Sequence, residues 1–428
     1  VKKAFTWLLY LLIFLFLAYW PFYMNSHKKA ELERKIEDES FRGIITFWDF
    51  PHPSEDDSTG LEFVKKKIQA FQYNYPGVVI DFEPLPVEDG RKKLEEAFSK
   101  GGLPDIFPVD FEVIRKYKDF LQPLEKFIGR ENKDAYEDEA VRVLSFEKEV
   151  YGLPLGFYTY VIFINREIFE EKEIDLPEKG YWNYEEFLNA MMKVTEKDAK
   201  TPTYGLGIPL FNGSYSLWGF LMLDGGKAYD KGKYAFFGPQ AISSLQKVLD
   251  MAGRYSVINP VSLEGDRKKL WDEFTLRKNT AALVEESFRI AELDNLFKKG
   301  KLFEFDVAFY PTGESGIPLT ISPKVYGYGI KRDEDLKKLE MEYRFIKFIV
   351  QDQEGVLKLG YVPTKKGIEI GEEKMKKIEE AVKYTELPPL WDKWEKVNNL
   401  VIERVKEGIK EGKSAYEVIE GIKKEVGE

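Results

Sequence analysis

Three carboxylates stand where the chain could do chemistry. Asp49 closes an apolar run, Asp110 follows Pro-Asp-Ile-Phe-Pro-Val, and Glu286 follows Thr-Ala-Ala-Leu-Val-Glu. A glycosidase needs two carboxyls about 5–9.5 Å apart across the scissile bond, and these three are the candidates. The same groups serve as acceptors for sugar hydroxyls, a role that needs no tuned pKa. Other chemistries find less material. The chain has two histidines, His27 and His52, and no cysteine, which excludes a Cys nucleophile, a thiolate metal site and a disulfide. A Ser-His-Asp triad would rest on His52 without a Gly-x-Ser-x-Gly elbow, and a histidine-built zinc site is as poorly supported. The acidic run Ser54 to Ser58 lacks the Gly and distal Glu of a calcium loop. No metal, cofactor or catalytic residue is therefore assigned.

These groups must be positioned by strands and helices. Paired glycines after Lys100 end a helix over 88–100, and Pro104 sets an extended entry into a strand ending at Val109, so Asp110 sits at the strand's C-terminal edge. Strand ends of this kind are where open α/β sheets hold ligands. Strands are expected near 44–48, 78–83, 105–109, 161–164, 281–285, 305–309 and 326–330, alternating with amphipathic helices. Phe157, Tyr158 and Tyr160 read as outward-facing on one strand closed by Asn165 as a helix start. Asn183 with Glu186 and Ser414 with Glu417 have capping-box spacing, Trp182 can staple to Phe187, and the charged stretch 365–383 reads as a solvated helix. Phe50-Pro51-His52-Pro53 reads as a loop at the mouth of a cleft.

The ordered set of Gly-Ile-Ile-Thr-Phe-Trp-Asp (43–49), Gly-Gly-Leu-Pro-Asp-Ile (101–106), Tyr-Gly-Leu-Pro (151–154), Phe-Ile-Asn-Arg-Glu (163–167), Asp-Gly-Gly-Lys (224–227), Thr-Ala-Ala-Leu-Val-Glu-Glu-Ser-Phe (280–288) and Tyr-Gly-Tyr-Gly-Ile (326–330) resembles the extracellular solute-binding proteins of ABC importers, family 1, in the sugar-binding branch that includes maltose-binding protein. The resemblance spans about residues 43–428. It implies an α/β, two-lobed, periplasmic-binding-protein-like fold of type II, with a hinge and an interlobe cleft. Lobe one would be 43–154 plus 304–360 and lobe two 155–303 plus 361–428, with Pro154, Glu304 and Pro363 in the hinge. The expected ligand contacts are Trp48, Asp49, Asp110, Tyr158, Trp218, Glu286, Phe288 and Tyr326, with Phe288 where the family often carries Trp. Trp391 and Trp394 could add stacking, although their spacing also fits a core stripe. The implied function is capture of a mono- or oligosaccharide for delivery to an ABC transporter permease, without chemical conversion. A glycoside hydrolase and a ligand sensor on the same scaffold are the alternatives.

Composition agrees. At 428 residues the chain exceeds the ~250–300 at which a single core stops growing. Its 74 acidic against 64 basic residues give −10, which argues against nucleic acid as the main partner. An aromatic fraction of 15% suits a wet apolar cleft as well as a large core. Ala4 to Tyr23 is almost wholly apolar, about the ~20 residues that cross a bilayer, with Lys2 and Lys3 ahead of it. Bulky residues stand where a signal peptidase needs small ones, and a lipobox cysteine is missing. The expectation is a single uncleaved transmembrane anchor over 1–26 in contact with the lipid bilayer through residues 4–23. A charged stalk over 27–42 follows, and the globular part lies outside the cell membrane.

Overall fold

The structure, a computed structural model, describes residues 41–54, 56–129 and 134–427. The anchor and nearly all of the stalk lie outside these residues. No helix among the described residues is long and apolar enough to cross a membrane.

The described part of the chain opens on β1 (Gly43–Asp49), α1 (Glu62–Asn74), β2 (Val78–Pro84), α2 (Gly90–Lys100), β3 (Ile106–Val109), α3 (Phe111–Tyr117) and β4 (Leu153–Phe157). Strict alternation in β1 sends Ile45, Phe47 and Asp49 into a core under α1, while Trp48 faces α2, where Lys93 Nζ sits 4.4 Å above its ring. Gly101, at φ +87, releases the chain from α2 into β3, a conformation that glycine adopts without strain.

The backbone then leaves this sheet at Tyr158 and Thr159. It forms β5 (Tyr160–Asn165), α4 (Tyr184–Val194), β6 (Tyr204–Gly207), α5 (Pro239–Ala252), β7 (Thr280–Glu286), β8 (Phe305–Ala308) and β9 (Thr320–Ile321). It returns for β10 (Val325–Ile330), α6 (Leu336–Val350) and β11 (Val362–Pro363). It crosses a third time through α7 (Glu373–Lys383) to β12 (Thr385–Glu386), α8 (Trp394–Glu411) and α9 (Ala415–Val426). Lobe one holds the sheet β11-β4-β10-β3-β1-β2, and lobe two the sheet β8-β5-β7-β6. Three passages thus separate two α/β lobes, the arrangement the sequence implied.

The boundaries differ from those expected. β8 belongs to lobe two because Phe305 to Ala308 pair antiparallel with Asn165 to Ile162 of β5, so the second crossing falls after Ile321 and not at Glu304. Glu304 instead pairs with Arg166 at the head of β8. Pro154 lies inside β4 opposite Gly327, while Pro363 ends β11 opposite Gly156. The single strand expected around Tyr158 is two strands, and Phe157, Tyr158 and Tyr160 are buried because they stand at the lobe junction rather than on a free face. The stretch 365–383 forms α7 from Glu373 on, with Met375, Ile378, Ala381 and Val382 buried, so it is half-solvated only.

The passages are tied side by side. Tyr158 N donates to Lys324 O at 2.9 Å, Lys324 Nζ donates to Thr385 O at 3.2 Å, and the Thr159 and Thr385 hydroxyls meet at 2.6 Å. Behind them one apolar cluster runs from Phe107 and Val109 in lobe one to Phe163 and Phe305 in lobe two. Local signals held at the capping boxes of Asn183 and Ser414, and at Trp182, whose ring packs 6.0 Å from Phe187.

Candidate functional site

The C-terminal ends of β1 and β3, the start of β5 and the end of β7 converge where the lobes meet. Asp49 is fully buried and accepts four hydrogen bonds: from Phe50 N (2.9 Å), His52 Nε2 (3.1 Å), Tyr326 OH (2.6 Å) and Tyr328 OH (2.7 Å). A carboxylate only accepts, so His52 Nε2 carries a proton, and Nδ1 shares a hydrogen bond with the Tyr361 hydroxyl at 3.3 Å. His52 thus sits in a loop, as expected, but one buried beneath the junction rather than at its mouth. Its neighbours occupy both ring nitrogens, which leaves no nitrogen for a nucleophile.

Above this network the aromatic rings form a floor. Phe288 stacks on Tyr361 with centroids 5.3 Å apart, Tyr158 meets both rings edge-on, and Tyr326 lies 5.8 Å from Tyr361. Phe288 belongs to lobe two and Tyr361 to lobe one, so the stack itself bridges the lobes. Gly360 makes this possible, because at φ +80 a Cβ there would stand 2.3 Å from Phe288 O.

Charged groups rim the floor. Asp110 caps α3 through Glu112 N (2.9 Å) and Val113 N (2.8 Å), and Arg91 Nη1 reaches its other oxygen at 2.7 Å. On the facing lobe Arg267 bridges Glu285 and Glu286. Burial pushes the Glu286 carboxyl up, with Arg267 offsetting only part of the effect. Burial would also raise Glu285, yet Arg267 and Arg289 outweigh it and hold that carboxyl below its usual range. Burial, together with the charges of Glu286 and Asp110, drives the Tyr158 hydroxyl well above its ordinary value, which keeps it a neutral donor. Asp110 at the end of β3 and Glu286 at the end of β7 thus stand on opposite lobes at the junction where Tyr158 leaves β4.

Five of the eight residues expected from sequence thus gather there directly: Asp110, Tyr158, Glu286, Phe288 and Tyr326. Asp49 stands one layer below, holding Tyr326. Trp48 lies apart under Lys93. Trp218 is fully buried in lobe two, where Nε1–H donates to Asn398 Oδ1 at 2.7 Å and the ring packs behind Trp394. Sequence reading missed Arg91, Glu112, Tyr215, Arg267 and the ring of Tyr361. Glu112 alone carried a signal, two residues beyond the strand-end Asp110. Among the described residues no cluster of three or more His, Asp or Glu side chains could hold a metal ion, and Asp57 is used locally by Thr59 and Glu62 N.

Neutral donors, carboxylate acceptors and apolar ring faces at one lobe junction suit a polyhydroxylated ligand, whose C–H faces stack on rings while its hydroxyls pair with carboxylates. Comparisons with known proteins bear on the family and the fold. The family model for bacterial extracellular solute-binding proteins matches residues 55–348. A binding protein of Brucella abortus is 23% identical over 251 residues, covering 57% of this chain and 53% of its own length. The chain thus spans about half the length of the curated relatives it matches. Similar solved structures include an ABC substrate-binding protein of Listeria monocytogenes in complex with cycloalternan, with 17% identity, a TM-score of 0.75, and coverage of 90% of this chain and 98% of that one. A maltose-bound protein of T. maritima is 18% identical with a TM-score of 0.74 and the same coverage. A Mycobacterium tuberculosis protein in complex with glycerophosphocholine is 16% identical with a TM-score of 0.72, again with the same coverage. At these identities the likeness concerns the fold.

Proposed function

The chain belongs to the bacterial extracellular solute-binding protein family, and on that premise we propose that it captures a carbohydrate between its lobes and presents it to the permease of an ABC transporter. The observation that carries this reading is the bridging floor of Tyr158, Phe288, Tyr326 and Tyr361 under carboxylates from both lobes. A ligand held there touches both lobes and favours the closed arrangement by its difference in affinity for the two states. The family and the similar structures are binding proteins rather than enzymes. Within the site Arg91 holds the Asp110 carboxylate, which suits it to hydroxyl acceptance, whereas burial pushes the Glu286 carboxyl up despite Arg267, so the hydrolase alternative is decided by assay. The apolar stretch 4–23 supports tethering of this receptor to the outer face of a membrane.

A thermal-shift screen over mono-, di- and oligosaccharides tests the reading. A cognate sugar at about 100 times its Kd adds about 2.7 kcal/mol of stability. A screen in which sugars leave the transition unmoved while glycerophosphodiesters or polyamines raise it would replace carbohydrate as the ligand. Release of chromophore from an aryl glycoside would favour the hydrolase instead.

A further inference from the structure

Two tyrosines of the floor are tethered from below, and by different means. Tyr326 is held by Asp49, the last residue of β1, whereas Tyr361 is held by His52, which lies in the loop between β1 and α1. A loop residue can fix a ring only where the loop itself is fixed. His52 N donates to Gly60 O at 2.8 Å, and Gly60, at φ +71, passes so close that a Cβ there would stand 2.7 Å from His52 N. Between them the Asp57 carboxylate accepts from Thr59 N (2.8 Å), Thr59 Oγ1 (2.7 Å) and, at the start of α1, Glu62 N (2.9 Å). Ser54 and Asp57 also exchange backbone bonds of 2.9 and 3.2 Å. The acidic run Ser54 to Ser58 thus frames the loop that carries His52.

The imidazole is buried and stands edge-on to both tyrosines, 5.2 Å from the Tyr326 ring at 85° and 5.8 Å from the Tyr361 ring at 68°. Asp49 takes Nε2, which leaves Nδ1 to the Tyr361 hydroxyl. Tyr361 is itself buried, while Phe288, stacked on it at an interplanar angle of 22°, is half-buried. Whatever fixes Tyr361 therefore reaches the ligand side through Phe288. We propose that His52 is the positioning residue of the floor: through Nδ1 it turns the Tyr361 hydroxyl away from the cleft and sets the plane in which Phe288 meets a ligand. The inference rests on the reading of the junction as a ligand site and deepens it. With the Tyr326 hydroxyl on Asp49 and the Tyr361 hydroxyl on His52, these two tyrosines act as rings alone, so this part of the floor selects an apolar ligand face and reads no ligand hydroxyl.

The test uses the full chain without any added solute, isotope-labelled at the histidine nitrogens. The chain has two histidines, so the resonances lost in His52→Asn identify those of His52. In Tyr361→Phe, which keeps the ring and removes only the hydroxyl, the Nδ1 resonance should move while Nε2 still carries the proton it gives to Asp49. Near-ultraviolet circular dichroism then reads the ring stack. His52→Leu should lose part of the aromatic band while its far-ultraviolet spectrum stays that of the parent. Asparagine places a polar atom near the position of Nδ1 and should restore the band, whereas glutamine reaches the position of Nε2 and should not. An Nδ1 resonance that Tyr361→Phe leaves unmoved would overturn the assignment, and this arm stands even where His52→Leu fails to fold. A parent-like aromatic band in His52→Leu, or a band restored by His52→Gln and not by His52→Asn, would overturn it as well. Each of these outcomes leaves the carbohydrate reading untouched, since no sugar enters the experiment.

Discussion

Replacing Asp49 by alanine should destabilise the protein severely, and the size of the loss follows from its surroundings. The side chain is fully buried and satisfies four donors, from Phe50 N, His52, Tyr326 and Tyr328. Each buried donor left unpaired costs about 1–3 kcal/mol, and four give an upper bound near ~12 kcal/mol. The hydroxyls of Tyr326 and Tyr328 can rotate and water can enter the vacated volume, so about 3–6 kcal/mol should remain. That is a large share of the ~5–15 kcal/mol that ordinarily holds a domain together. Asp49→Asn keeps one acceptor oxygen and should lose about half as much. Equilibrium unfolding in urea, followed by tryptophan fluorescence, reads the difference. A loss below about 1 kcal/mol for Asp49→Ala would refute the claim that this carboxylate organises the floor beneath the cleft.

Three further outcomes follow. Trp218→Ala removes a fully buried ring and its bond to Asn398, and should cost about 3–5 kcal/mol in the same unfolding assay; an unchanged midpoint would place the ring at a surface. Gly360→Ala forces a Cβ against Phe288 O at a positive φ, and should lower stability by about 1–3 kcal/mol while loosening the Phe288–Tyr361 stack, read as a change in near-ultraviolet circular dichroism. Glu342 on α6 is almost wholly buried, and burial with the nearby Asp105 charge pushes its carboxyl up to about 8 from 4.5. The folded protein therefore binds a proton that the unfolded chain releases above its own lower pKa, so stability falls as pH rises from about 4.5 to about 8 and is flat beyond. Glu342→Gln should remove this slope, with an advantage over the parent that grows across that window to at most about 5 kcal/mol; parallel pH profiles of parent and variant would show that Glu342 does not titrate there.

Much of the fold was legible because its signals are local. Alternation in β1, the paired glycines after Lys100, and the capping boxes at Asn183 and Ser414 each act within a few residues, and each appears where expected. The lobe boundaries were harder. Whether Phe305 to Ala308 pairs with β5 or with β3 depends on a long-range register that the segment's own pattern does not encode. The site shows the same division. Asp110 and Glu286 could be located from strand ends, but Arg91 and Arg267 reach the junction from helices whose sequence reads as ordinary charged surface. Trp218 was misjudged because an aromatic beside a Gly-Gly turn looks alike whether it faces solvent or Asn398, 180 residues away in sequence.

The most direct test of the central claim is calorimetric titration of neutral sugars into the full chain, its Tyr158→Ala variant and its Phe288→Ala variant. Capture in the cleft requires one ligand per chain for the parent and at least about tenfold weaker binding in each variant, the loss expected when a ring of about 1–3 kcal/mol is removed from a sugar face. Equal affinity in all three proteins would contradict it, because a ligand indifferent to the floor that joins the lobes does not sit between them.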